Sequence, residues 1–313
     1  MSTFPNFAHT IAQIREIILN EFDQEIANQQ LWYHNREHII NVHRRSQRIF
    51  DCVSSHTSES QTERHRYLLE LCAIAHDLRQ IFVMEMSPLS PRRREMGISE
   101  AATIDAMISI ISRLNQSLSQ NFHSEIAVSN SNQSPFFNDQ DLEIITEAIR
   151  ATICNYDPQD QGIYQPSLYE NQSLHPVTMS LALADLNGLF MDGIAAYNRE
   201  GALLFLEENP DLVPVIRSRE PQAAIDLQLR ERLLRRTNFQ VKFAQSRYHR
   251  LSQELKHFPS ATIPILMKET FPYATPETLT TLQETTPIDS NTDLEELLNF
   301  FGFGVDVDLE FLN

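Results

Sequence analysis

At 313 residues and 42% hydrophobic content the chain is long enough for one or two globular domains, and its formal net charge of −17 argues against a general nucleic-acid-binding surface, which needs basic patches to neutralise phosphates. That charge leaves room for a small anionic ligand, because such a ligand meets a local field rather than the average one. Cys52, Cys72 and Cys154 are too few and too scattered for a disulfide framework or a thiolate zinc site, no basic stretch leads into an apolar core at the N-terminus, and no run approaches the roughly 18 apolar residues of a membrane span, so the reading is a reduced, cytoplasmic protein with no membrane partner.

Only seven glycines occur, and apolar residues recur at spacings of three and four rather than two, which predicts an all-α fold. Ile11, Ile14, Ile18, Phe22 and Ile26 form the first stripe, on a helix ending near "NQQ". In "LWYHNREHII", residues 31 to 40, His34 and His38 stand four apart, so in a helix both imidazoles would share a face and could serve a metal ion or a phosphate. A second helix is expected from about Arg36 to Cys52, followed by "SSHTSESQTE" as a polar loop. "RYLLELCAIAHD" reads as a helix buried on most sides, with His76 and Asp77 unexpectedly at its end. "ISEAATIDAMISIISRL" gives another amphipathic helix with Ser99 as a cap, and the polar stretch from Asn115 to Asp139 reads as an insertion or mobile loop.

Helicity resumes in "DLEIITEAIRATICNY" and breaks at Asp157-Pro158. "VTMSLALADLNGLFMDGIAAYNRE" reads as one long apolar helix holding a conspicuous acid, Asp185. "GALLFLEEN" and the stretch from Ala223 to Leu255 are helical in period. Between Arg230 and Arg250 there are seven Arg or Lys against Glu231, whereas from Glu269 onward there are ten acids and no Arg or Lys. These blocks either pack on one another or form a solvated helix face and a loosely ordered tail. The organisation read from this is a catalytic domain over 1–200 and a helical extension with an acidic tail over 201–313, with the alternative that the later helices complete the core of the first.

Charged or metal-binding side chains in apolar helices cost several kcal/mol unless paired. His34 with His38, His76 with Asp77, and Asp185 are three such placements, and they could share one ion. Two imidazoles and two carboxylates suit Mn, Fe, Co, Ni or Zn, and Mg where waters complete the shell. Singly, each has an ordinary reading: a satisfied histidine, a chance His-Asp pair, an aspartate capping a turn or pairing with an arginine.

In combination, "YHNREH", His38, the His76-Asp77 pair after an apolar helix and Asp185 in "LALADLNGLF" resemble the HD-domain superfamily of metal-dependent phosphohydrolases. The opening stretch is similar to the tyrosine-histidine-asparagine, two spacers, histidine signature of cyclic-nucleotide phosphodiesterases and of many bacterial HD proteins. The resemblance covers roughly residues 31 to 200 and implies an HD-like helical bundle. It implies His38, His76, Asp77 and Asp185 as ligands of one or two divalent ions, with Asp77 able to bridge two. It makes His34 the proton donor to the leaving group, Asn35 the residue orienting it from behind and Tyr33 its packing partner. The implied reaction is hydrolysis of a phosphoester in a small, nucleotide-like phosphorylated substrate by attack of metal-bound water, not action on a nucleic acid polymer.

Weaker candidates are Arg79 for a phosphate, Glu100 and Thr152 facing the cleft or serving only as cap and packing, His123 and His175 near a second ion, and "RRR" at Arg92 to Arg94 as either an anion-recruiting rim or a solvated loop. The His-Asp pair lacks the following glycine and lysine of the cyclic-di-nucleotide phosphodiesterases, and the purine-binding glutamine and aromatic clamp of the animal enzymes are not found. Two other readings stand beside hydrolysis. One is a structural or regulatory metal with a partner-binding C-terminal module; the other is a di-iron oxygenase, for which only His123 and His175 are available as extra histidines. A histidine such as His34 beside the metal set favours hydrolysis, since a structural ion has no use for a proton donor.

Overall fold

A computed structural model describes residues 6–55, 63–83, 91–121, 134–170, 173–218 and 223–304. The first apolar stripe becomes α1 (Phe7–Gln29), which buries Phe7, Ile11, Ile14, Ile18 and Phe22; Asn6 caps it by accepting from the His9 amide, and Gln30 ends it in the left-handed region at φ 54°. α2 (Arg36–Ser55) and α3 (Glu63–Ala75) follow. Every residue of α3 from Leu68 to Ala75 except Glu70 is buried, in line with its unbroken apolar run. Of the polar loop expected over Ser54 to Glu63, Ser54 and Ser55 instead end α2, Glu63 opens α3, and 56–62 lie outside the described residues. Two short antiparallel strands, β1 (Phe82–Val83) and β2 (Arg93–Arg94), pair Phe82 with Arg94.

α4 (Ile98–Asn121) runs further than expected, taking in the "NQSLSQN" assigned to a loop. Asn115 on its last turns receives the Phe137 amide at 3.1 Å and donates to the Phe137 carbonyl at 2.9 Å, a tertiary anchor that helix-neutral polar residues do not announce in sequence. α5 (Asp139–Arg150) starts at a capping box between Asn138 and Asp141. It stops at Arg150, earlier than expected, and "NYD" becomes β3 (Asn155–Asp157), hairpinned to β4 (Gly162–Tyr164). Both hairpin acids are drawn onto a later helix by Arg250, which lies 2.6 Å from Asp157 and from Asp160.

The single helix expected over Val177 to Glu200 is three: α6 (Pro176–Leu186), α7 (Gly188–Asp192) and α8 (Ile194–Glu208). Gly193 separates the last two at φ 86°, a conformation that L side chains rarely adopt. At the first break the Asn187 amide folds back to donate to the Leu183 carbonyl at 2.8 Å. Arg45 of α2, fully buried, then clamps the turned segments by donating to Asp192 at 2.6 Å and to Glu200. These breaks end α6 just past Asp185 and swing α8 back toward the start of α2.

α9 (Val213–Ser218), α10 (Ala223–Glu254), α11 (Ile263–Glu269), α12 (Pro276–Thr285) and α13 (Leu294–Phe300) complete the described chain, which is all-α apart from the two strand pairs. A boundary at 200/201 falls inside α8, and one buried apolar cluster takes residues from both sides of it, from Phe7 through Ala244 and Leu251 to Leu282. A second cluster joins Phe205 and Leu206 to Leu233, Leu297 and Phe301. The acidic C-terminal stretch is not a loose tail over 276–304: α10 holds it through Arg230, which donates to the carbonyls of Thr292 at 2.7 Å and Ser290, so the basic block meets backbone oxygens there rather than acids. No helix among the described residues is long and apolar enough to cross a membrane.

α10 also supports the end of α6. Arg247 makes a bidentate pair with Glu254 at 2.7 and 2.5 Å and reaches Asn187 at 3.3 Å. Arg247→Met should therefore lower the unfolding free energy by about 3–5 kcal/mol, because it strands a buried carboxylate. Pairing it with Glu254→Leu should recover most of the loss. Urea denaturation of the two variants checks this, and equal losses would show that the pair is not what matters.

Candidate metal centre

α2 begins where the Asn35 carboxamide oxygen accepts the His38 amide at 2.9 Å, while its Nδ2 donates to the Trp32 carbonyl at 2.6 Å. His34 consequently lies in the turn before the helix, not on a shared helical face, although its ring centroid is still 5.7 Å from that of His38. Asn35 acts as a cap that shapes this turn, its side chain bonding the His38 amide and the Trp32 carbonyl. Tyr33 packs as expected, with ring centroids 4.4 Å from His38 and 4.8 Å from His34. Burial foremost, then the charge of Glu200 and Asp185, pushes its hydroxyl well up, so it stays neutral.

The apolar run of α3 delivers His76 and Asp77 to the same point. His38 Nε2 and His76 Nε2 lie 3.0 and 2.9 Å from Asp77 Oδ2. Asp185, on the last turn of α6, brings Oδ1 to 3.7 and 3.6 Å from the same two nitrogens. Ligand bonds of about 2.0–2.2 Å place neighbouring donors about 3.0 Å apart in an octahedral shell and about 3.4 Å apart in a tetrahedral one. The spacings among His38, His76 and Asp77 suit donor atoms around a common centre, and Asp185 stands a little farther out.

Hydrogen bonding points the same way. His76 Nδ1 donates to the Ala73 carbonyl at 2.8 Å, which leaves the Nε2 lone pair facing the carboxylates. Neither nitrogen of His38 nor Nε2 of His76 has a hydrogen-bond partner among the described residues, although all three are buried. A buried polar atom left unpaired costs about 1–3 kcal/mol, so three in one place fit a cation that would satisfy the two inward nitrogens. The buried group of His38, His76 and Asp77 could hold a metal ion. Burial alone would push the Asp77 carboxyl up, but the charges of His76 and His34 outweigh it and hold Asp77 well below its ordinary value. For His76 burial favours the neutral ring, and Asp77 and Asp185 reverse this, raising it.

Three residues that the sequence reading did not assign, Gln80, Gln165 and Glu207, complete the surroundings together with Arg94 of the expected rim. Gln80 donates Nε2 to Asp77 Oδ1 at 3.1 Å, and Gln165 donates Nε2 to Asp185 Oδ2 at 3.3 Å; both glutamines are buried. Arg94 sends one Nη1 to Gln80 Oε1 at 2.7 Å and to His34 Nε2 at 3.2 Å, so one member of "RRR" reaches the site. Glu207, at the end of α8, accepts the amides of Trp32, Tyr33 and His34, each at 3.0 Å, and pairs through its other oxygen with His34 Nδ1. Its signal in sequence was of the kind that drew attention to Asp185, an acid ending an apolar run in "GALLFLEEN". The glutamines carried none.

The weaker candidates divide. Glu100 is half-buried and its carboxyl is raised, mainly by burial and further by the charges of Asp77 and Asp185, which places it within their field. Arg79 is turned away, its guanidinium engaged by Glu21 of α1. Thr152 donates to the Ile149 carbonyl at 2.8 Å and serves the end of α5. Ser99 lies within the first turn of α4, where it accepts the Ile81 amide at 3.0 Å instead of capping the helix. His175 caps the start of α6, about 15 Å along the helix from Asp185, and packs on His65. Arg92 supports the fold by donating to the Gln29 carbonyl at 2.7 Å, and His123 lies outside the described residues. No family model, no curated protein and no solved structure matches the chain.

Proposed function

We propose that the protein is a metal-dependent phosphohydrolase acting on a phosphoester of a small, nucleotide-like substrate, with His38, His76, Asp77 and Asp185 holding a divalent ion. The observation that carries this reading is the convergence of two buried, hydrogen-bond-free imidazole nitrogens with two carboxylates, beside a third imidazole whose Nε2 lies 3.9 Å from Asp77. The order of these residues in the chain and the "YHNREH" stretch, which resemble the HD superfamily, support it. A divalent ion supplies Lewis acidity, acidifying water and offsetting charge on phosphoryl oxygens.

The chain's own residues do the rest. His34 presents Nε2 toward Asp77, where it accepts from Arg94; in its protonated form, with the Arg94 contact given up, it would pass a proton to the departing alkoxide. Glu207 holds the Nδ1 side of that ring and sets its orientation, as a carboxylate does for a catalytic imidazole elsewhere. Arg94 places a fixed positive charge beside His34, where its planar fork can take phosphoryl oxygens. A purely structural ion would have no use for this His34, Glu207 and Arg94 arrangement.

The test is a panel of phosphomonoesters and phosphodiesters, including cyclic nucleotides, offered to metal-depleted protein before and after addition of Mn²⁺, Fe²⁺, Zn²⁺ or Mg²⁺. Metal-dependent phosphate or monoester release is expected with at least one ester. Tight metal binding without turnover of any ester would replace this reading with a regulatory metal site.

A further inference from the structure

We infer that the centre is built for a single ion, and that the Gln80–Arg94 pair occupies the side of Asp77 from which a second cation would have to bridge; this rests on the metal-site reading above. A carboxylate bridges two ions by giving one oxygen to each. Asp77 directs Oδ2 at His38 and His76, and its Oδ1 receives the Gln80 amide at 3.1 Å. The orientation of that amide is not free. Arginine can only donate, so the Gln80 atom facing Arg94 at 2.7 Å must be the oxygen, which leaves the NH₂ group for Asp77. Gln80 is 1% exposed, so exchanging this contact for water or an ion requires displacing a packed side chain.

Asp185 repeats the pattern with one oxygen toward the imidazoles and the other accepting from the fully buried Gln165 at 3.3 Å. Each acid therefore presents one oxygen inward. One dication would balance Asp77 and Asp185, while Glu207 is paired with His34 Nδ1 and lies in the field of Arg94. A second dication on the outer side of Asp77 would approach the Arg94 guanidinium. The described residues contain no separate second cluster of three His, Cys, Asp or Glu donors to hold it. Arg94 thus supplies, as a fixed cation, the charge that a second ion would bring to a phosphate.

The experiment is Mn²⁺ titration of the metal-depleted full chain, followed by equilibrium dialysis with elemental analysis and by electron paramagnetic resonance. Wild type should take up one ion per chain and show an uncoupled spectrum. The double variant Gln80→Glu, Arg94→Gln removes both the amide donor and the cation, and should admit a second ion with an exchange-coupled spectrum. Two ions in wild type would overturn this inference while leaving the metal centre intact; no ion in wild type would overturn the metal reading itself. A folded double variant that stays at one ion would show that the Gln80–Arg94 pair is not what excludes the second.

Discussion

Asp77→Ala is expected to abolish metal retention and phosphoester turnover together, whereas His34→Ala should keep the metal and slow turnover by about 10²- to 10⁴-fold. Asp77 Oδ2 lies 3.0 and 2.9 Å from the two inward imidazole nitrogens and is the charged member of the buried trio. Removing it takes away a donor and a neutralising charge at once. Even residues that only support a ligand usually cost 10- to 100-fold in metal affinity when lost, so a ligand should cost more than about 100-fold. His34 Nε2, by contrast, is 3.9 Å from that oxygen and is engaged by Arg94, while its Nδ1 is engaged by Glu207. Its removal leaves His38, His76, Asp77 and Asp185 undisturbed. Elemental analysis of dialysed protein beside initial rates separates the two variants, and equal metal loss in both would make His34 a ligand.

Glu207→Gln should cost roughly 3 kcal/mol of stability at neutral pH and should flatten the acid limb of the stability curve. Burial of this carboxylate would by itself raise its pKa, but the charge of His34, hydrogen bonds from the His34 ring and amide, and Arg94 together hold it at about 2 instead of the ordinary 4.5. A depressed carboxylate stabilises the folded state fully above its unfolded value and loses that contribution as pH falls through its folded value. The window is therefore between about pH 4.5 and 2, and a shift of this size corresponds to roughly 3 kcal/mol. The glutamine has no proton to take up there. Urea melts of both proteins at several pH values down to 2.5 should converge as pH falls, and curves that stay parallel would show that Glu207 is not the group titrating.

The local elements were largely legible in the sequence. The spacing of Ile11, Ile14, Ile18 and Phe22 sufficed for α1, and the unbroken apolar run before His76 sufficed for a buried α3, because helix burial follows from a periodicity of neighbours along the chain. The conspicuous polar residues His38, His76, Asp77 and Asp185 could also be singled out, since each stands against an apolar background. What sequence could not supply was any relation set by through-space geometry. The break at Asn187 depends on Arg247 from a helix 60 residues later, and the turn of His34 out of α2 depends on Asn35 and Glu207. Gln80 and Gln165 look in sequence like any surface glutamine, and acquire meaning only because folding buries each against one oxygen of an aspartate. Periodicity and the cost of a buried charge act along the chain and are written in it. The choice of which oxygen, which ring nitrogen and which distant carboxylate meet belongs to the packing of helices, which only the tertiary structure decides.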